Sequence, residues 1–253
     1  MRTSQTLSAV AVSFLVAFGA GPLAAQGRFP PDSFTNLKVL PKDIAPRVLI
    51  DTMKSFALAL GVRCVYCHAG QEGQPLASID FASDEKRPKR VARVMLHMVN
   101  HINGEHLAEV PDRPRPIVVV RCVTCHRGLP RPRLLDEELR LVLADSGLDA
   151  TIQRYRELRR RYYGTGAYDF GELVLLDLAG SEAHAGRGAN ALGLLRLDAE
   201  FFPSSANIPA LMGEVYLQQG DTAAALARYH EALAKDSTLR IARRRIGALE
   251  AGH

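Results

Sequence analysis

Apolar residues recur at helical spacing in two stretches of the first half of the chain. Between about Pro88 and Asn103 they follow the i, i+3, i+4, i+7 rule, which predicts one amphipathic helix. A second helix is predicted from about Ala45 to Leu60, because Pro46 suits a first helical turn. The apolar stripe of the helix predicted at 88–103 consists of Val91, Val94, Met95, Met98 and Ile102.

The second half of the chain has the pattern of a helical repeat. From about residue 134 onward, Leu, Ala, Arg and Glu dominate with a period of 3.6 and little strand signal. Residues 206–239 place small and aromatic residues where the paired helices of a tetratricopeptide repeat meet, and residues 172–205 repeat the pattern in degenerate form. The sequence therefore predicts a mainly α fold that ends in a short helical-repeat array, which is typical of binding modules.

The first 25 residues are predicted to be a signal peptide. Arg2 is followed by an apolar run and by the small residues Ala24 and Ala25. The alternative is an uncleaved anchor, but Ser13 and Gly19 interrupt the run. We therefore expect an exported, periplasmic protein. The proline-containing segment RGLPRPRLL at 127–135 is predicted to separate a first domain at 26–133 from a second domain at 134–253.

The charge balance of the chain is mild. It has 32 Lys and Arg against 27 Asp and Glu, a formal net charge of +5. Much of the basic charge is local, as in DEKRPKRVAR at 84–93, and such runs are typical of solvated helix faces. Without a nucleic-acid-binding motif, we expect no nucleic-acid partner.

All four cysteines fall in one pattern that occurs twice. Cys64 and Cys67 precede His68, and Cys122 and Cys125 precede His126. A disulfide at this spacing closes a very small loop and stabilises weakly. Zinc could use the same ligands, but structural zinc ribbons seldom place a histidine directly after the second cysteine. A thioredoxin-like site would need a βαβ setting, which the pattern lacks.

Covalent c-type haem accounts for both the spacing and the histidine. Two thiols three residues apart can reach the two vinyl groups of a porphyrin, and the next residue can then offer its imidazole to the iron. Export supports this interpretation, because such cytochromes are assembled outside the cytoplasm. We expect two covalently bound haem c groups, with His68 and His126 as iron ligands.

Each iron of an electron carrier needs a further ligand. Met53 lies 11 residues before Cys64 on the predicted helix and shares a face with Phe56 and Leu60, so we expect it to ligate the first iron. For the second iron, Met98 on the other amphipathic helix is the preferred candidate. The remaining candidates are Met95, His97, His101 and His106.

The segments MKSFALALGVRCVYCH, DEKRPKRVARVMLHMVNHIN and VRCVTCHRG together resemble the cytochrome c subunit of photosynthetic reaction centres. The resemblance covers about residues 34–132. It implies an electron-transfer role and methionine ligands at Met53 and Met98, the latter placed through the Met-x-x-x-Ile-Asn pattern that ends at Asn103. The chain differs from the four-haem form of that family in having two motifs.

The leading functional hypothesis is a periplasmic dihaem carrier. We expect redox donor and acceptor proteins as partners, with the repeat domain docking the protein to a larger, membrane-bound electron-transfer complex. The rival hypothesis is a dihaem peroxidase-like enzyme in which one iron keeps an open position. A third, a scaffold with vestigial haems, conflicts with two intact motifs.

Overall fold

The computed structural model describes residues 29–31 and 33–251. The predicted signal peptide, residues 1–25, lies outside this range. Within the described residues the chain is mainly helical and contains no β-strand, only an isolated bridge between Ala69 and Asp80. The predicted fold class is confirmed.

Ten α-helices follow one another in the described residues. The first four of them lie in the part of the chain that contains the two CxxCH motifs, together with a 3₁₀ turn at Leu76–Ser78 and a π turn at Ile102–His106. The predicted helices at 45–60 and 88–103 are confirmed to within two residues. The helices are α1 Pro46–Leu60, α2 Cys64–Cys67, α3 Arg87–His101, α4 Cys122–His126, α5 Leu135–Tyr162, α6 Glu172–His184, α7 Gly188–Phe201, α8 Asn207–Gln218, α9 Thr222–Lys235 and α10 Arg240–Ala251.

The chain forms two compact units that are interleaved in sequence. Among the described residues, the first comprises those up to Thr52 together with Cys64–His97, and the second comprises Met53–Arg63 together with those from Met98 onward. The first CxxCH motif belongs to the first unit, and the second motif belongs to the second unit. The domain boundaries read from the sequence stay a prediction.

In the first unit, polar contacts attach the chain before α1 to the start of α3. The Asn36 side chain donates to the carbonyl of Ala82 at 2.5 Å and to Asp84 at 2.9 Å. Arg93, on α3, donates to the Asn36 carbonyl at 3.2 Å and pairs with Asp84 at 2.8 Å. Hydrogen bonds and ion pairs, more than a large apolar core, therefore join these two segments.

In the second unit, α5 to α10 bury an apolar core in two parts. Two clusters of buried side chains form it, one among α5 to α8 and one among α8 to α10. Close approach of neighbouring helices needs small residues: Gly213 on α8 faces the ring of Tyr229 on α9, where a Cβ would have no room. Helices α6 and α7 lie in the range predicted as the degenerate repeat, and α8 and α9 lie in the range of the clear repeat. Their assignment as tetratricopeptide repeats stays a prediction.

Candidate functional site

The first CxxCH motif begins directly after a helix end. Gly61 adopts φ 65°, a conformation that glycine tolerates best, and terminates α1. Cys64 and Cys67 then occupy a single turn, α2, and the amide of His68 donates to the Cys64 carbonyl at 3.0 Å. Residues three apart on a helix share one side, so both thiols face the same way.

The second motif is built in the same way. Cys122 and Cys125 lie on α4, which includes His126. The amide of Arg121 donates to the hydroxyl of Thr124 at 3.0 Å, which closes the first turn of the helix. Arg127, at φ 48°, and Gly128, at φ 89°, end it in the left-handed region.

Both motif histidines use the same ring nitrogen for a backbone hydrogen bond. His68 Nδ1 donates to the carbonyl of Phe81 at 3.2 Å, and His126 Nδ1 donates to the carbonyl of Leu129 at 2.8 Å. A carbonyl oxygen only accepts, so Nδ1 carries the proton and Nε2 keeps its lone pair. This is the tautomer and the second hydrogen bond that a metal-ligating imidazole requires.

Burial also favours the forms that haem attachment needs. It is the main cause that lowers the pKa of His68, with the nearby Lys89 charge second, so the imidazole stays neutral and able to ligate. Burial raises the pKa of Cys67 and of Cys122. A thiol-disulfide oxidoreductase instead lowers the pKa of its attacking cysteine, so the electrostatics differ from a redox-active CxxC site. All four thiols are free.

The described residues around the motifs bury few apolar side chains. Among the described residues up to 133, the buried hydrophobic side chains are Leu49, Ala59, Ile79 and Leu129. Sixteen large apolar side chains are exposed in the described residues, and twelve of them lie between 48 and 123. They are Val48, Leu58, Tyr66, Leu76, Val91, Val94, Met98, Val110, Ile117, Val118, Val119 and Val123.

Such a density of exposed apolar side chains indicates a surface that something covers. The stripe predicted on α3 illustrates it, because Val94 is 61% exposed and Met98 is 44% exposed, and α3 contains no fully buried residue. A flat porphyrin beside each motif would cover apolar side chains of this kind. The residues present therefore fit covalently attached haem.

The segment after α3 connects its end to the second motif. The side chain of Asn103, in the π turn, donates to the Val120 carbonyl and accepts from the Val120 amide, both at 2.8 Å. Val120 stands two residues before Cys122. Met98 precedes Asn103 on the same continuous stretch of helix, so these bonds connect the preferred candidate ligand to the motif that it would serve.

The histidines near this segment have other contacts. His101 Nδ1 lies 2.7 Å from a carboxylate oxygen of Glu105, and the rings of His101 and His106 meet edge to face with centroids 4.9 Å apart. His97 is exposed on α3. Met53 is half-buried on α1, seven residues before the end of that helix.

The end of α1 and the turn after the second motif are also in contact. The amide of Gly128 donates to the Ala59 carbonyl at 2.8 Å. A Cβ at Gly61 would collide with the Gly128 carbonyl oxygen. This second role of Gly61 depends on a backbone neighbour 67 positions away, which residue types alone do not reveal.

Two CxxCH motifs on a helical scaffold, each with its histidine bonded through Nδ1 to a backbone carbonyl, are typical of a c-type cytochrome. Residues 25–140 match the family model of the photosynthetic reaction centre cytochrome C subunit. This match confirms the resemblance read from the motifs: the N-terminal region is similar to the reaction-centre cytochrome family, whose members are c-type cytochromes. Cytochromes of this class bind haem c covalently and transfer electrons.

A curated relative is cytochrome c-554 of Chloroflexus aurantiacus (strain J-10-fl). It is 39% identical over 72 residues, which are 28% of this chain. The similarity spans 15% of the length of that relative.

None of the helices in the described part of the chain is both long and apolar enough to span a bilayer.

Proposed function

We propose that the protein is an exported dihaem cytochrome c that passes single electrons between redox proteins. The observation that supports this best is the pair of matched sites, in which each CxxCH histidine donates from Nδ1 to a backbone carbonyl and leaves Nε2 free. The predicted signal peptide supports export, since covalent haem attachment takes place outside the cytoplasm. Haem supplies the reversible iron couple, and the chain supplies ligation, burial and orientation.

We propose Met53 and Met98 as the sixth ligands. Met53 lies on the helix that leads into the first motif, and Met98 lies five residues before Asn103, whose side chain is bonded to Val120 next to the second motif. Thioether sulfur stabilises ferrous iron, so methionine–histidine ligation favours a high reduction potential. His101 already contacts Glu105 and His106, which makes both histidines weaker candidates than Met98.

We further propose that the helical array at 134–253 docks the cytochrome to its partner complex. Most of its apolar residues pack in the two core clusters, although Leu141, Tyr163 and Leu173 are exposed. Exposed arginines on α10, such as Arg243 and Arg244, give that helix a basic face suited to an acidic partner surface.

The proposal is tested on protein matured in a haem-attaching periplasm, by oxidised and reduced visible spectra and a pyridine haemochrome count. We expect two low-spin haems per chain. Met53→Ala and Met98→Ala should each diminish the weak far-red band of methionine–iron bonding, whereas Met95→Ala on the same helix should leave it unchanged.

Other outcomes would redirect the assignment. Loss of the band in Met95→Ala instead of Met98→Ala would move the ligand to Met95. A high-spin component that binds cyanide or peroxide in the unmodified protein would favour the peroxidase-like alternative. Absence of covalent haem would overturn the proposal.

A further inference from the structure

The carbonyl oxygen of Phe81 accepts two hydrogen bonds of different kinds. One comes from His68 Nδ1 at 3.2 Å, and the other comes from the ammonium group of Lys89 at 2.9 Å. The acceptor that polarises the first motif histidine is therefore shared with a positive charge.

Lys89 is held in this position by several groups. Its ammonium also donates to the carbonyls of Ala82 at 2.8 Å and Ser83 at 2.7 Å, and it lies 3.2 Å from an Asp84 carboxylate oxygen. Its side chain is 11% exposed. The basic run at 84–93 was expected to be a solvated helix face, and at Lys89 this expectation is wrong, because the backbone turn at 81–83 surrounds the ammonium.

The charges around Lys89 do not cancel its own. Asp84 also pairs with Lys38 and with Arg93, each at 2.8 Å, so one carboxylate serves three cations. The nearby Asp80 carboxylate accepts from the amides of Ala82 and Ser83, both at 2.9 Å. The Phe81 carbonyl thus lies in a region with more positive than negative charge.

A ligating imidazole becomes a stronger donor when its N–H bonds to a good acceptor, and a stronger donor stabilises ferric iron. An ammonium on the same carbonyl draws electron density from it and weakens that effect. The added positive charge also opposes the gain of positive charge on oxidation. At the second motif, the His126 Nδ1 bond to Leu129 is shorter, 2.8 Å, and lies within the local turn.

We propose that Lys89 is a positioning residue for the first haem site: through the Phe81 carbonyl, it weakens the hydrogen bond of His68 and raises the reduction potential of the haem attached at Cys64 and Cys67. This inference rests on the proposed dihaem function and names a residue that sets the energy of one of its two sites.

The test is a spectroelectrochemical titration of the two-haem protein and its variants. Met53→His identifies the first haem, because replacing a thioether ligand by imidazole lowers the potential of that haem alone. Lys89→Gln should then lower the equilibrium constant for reduction of the first haem at least tenfold. For a one-electron couple, this is a fall of about 59 mV in reduction potential. The second haem should not change.

The matched control is Lys38→Gln. Lys38 carries the same charge as Lys89 and also pairs with Asp84, but its side chain is 58% exposed and does not bond to Phe81. It should shift the first haem much less. Lys89→Arg, which retains the charge, should preserve most of the potential. Asp84→Asn leaves Lys89 in place and removes a negative charge, so it should raise the potential, which keeps a test available if Lys89→Gln fails to mature.

An unchanged first-haem potential in Lys89→Gln, or an equal shift in Lys38→Gln, would overturn the inference while leaving the dihaem assignment intact. A different result would overturn the dihaem assignment itself, namely the absence of two covalent haems in the unmodified protein.

Discussion

Asn103 bonds to both backbone polar groups of Val120, donating to its carbonyl and accepting from its amide at 2.8 Å in each case. A side-chain amide can satisfy a peptide group in this way because it offers one donor and one acceptor on neighbouring atoms. The relationship joins the π turn at the end of α3 to the residue that precedes the second CxxCH motif by two positions.

Asn103→Ala should therefore destabilise the second site. Both Val120 groups lose their partner, which costs about 1–3 kcal/mol of unfolding free energy if water does not replace it. Thermal or denaturant unfolding would measure this loss, and the far-red methionine band should weaken with it. Asn100→Ala, an exposed position on α3, is the control and should change neither quantity. Equal effects of the two substitutions would show that the Val120 bonds are unimportant.

Gly61→Ala should destabilise the end of α1 for two reasons. Its φ of 65° is unfavourable for alanine, and the new Cβ would collide with the Gly128 carbonyl oxygen. We expect a loss of about 2–4 kcal/mol by denaturant unfolding. Gly73→Ala is the matched control, because Gly73 has φ 79° but nothing within 4 Å of a Cβ. It should show the backbone cost alone, and a similar loss at both positions would contradict the collision.

The sequence was informative where function depends on residue type at short range. The cysteines and histidines of the motifs act within five residues of each other, and the amphipathic stripe of α3 follows from helix periodicity. Both could be found without a structure. Met53 and Met98 are intermediate, since spacing places them on suitable helices but does not show what they bind.

The contacts that sequence reasoning missed run to backbone atoms. The acceptors of His68 and His126 are the carbonyls of Phe81 and Leu129, and every residue type has a carbonyl, so no pattern marks them. The contacts of Lys89 could not be predicted from the sequence for a related reason. A lysine in a basic run is usually solvated, and only the turn at 81–83, which presents three carbonyls together, makes this one largely inaccessible to solvent.

Arg245→Ala should weaken the packing of α10. The guanidinium of Arg245 forms two bonds with the Glu214 carboxylate, at 2.7 and 2.6 Å, and Glu214 also accepts from the Tyr229 hydroxyl at 2.8 Å. Paired bonds of this kind are stronger than single surface ion pairs, but Arg245 is partly exposed, so we expect a loss of about 1 kcal/mol in unfolding free energy. Arg228→Ala, which breaks an exposed pair within α9, should cost less. A larger effect at Arg228 would contradict this ranking.

Asp198 should make the stability of the repeat region depend on pH. The carboxylate is fully buried on α7, and neither of its oxygens has a hydrogen-bond partner in the structure. Burial, reinforced by the charge of Glu172 and opposed by that of Arg159, raises its pKa from 3.8 to about 7. The neighbouring Tyr155 hydroxyl also lies within its electrostatic reach.

Because the pKa is higher in the folded state, the folded protein binds a proton that the unfolded chain has released between pH 4 and 7. Stability contributed by Asp198 is therefore complete below about pH 4 and is lost as the pH rises to about 7, by up to about 4 kcal/mol. Asp198→Asn should flatten the dependence of unfolding free energy on pH in this window. Compared with the unmodified protein, the variant should therefore be more favoured at pH 7 than at pH 4. Asp177→Asn, at an exposed position on α6, should leave the slope as it is. If the slope of Asp198→Asn equals that of the unmodified protein, the buried carboxylate already has a partner that stabilises its charge.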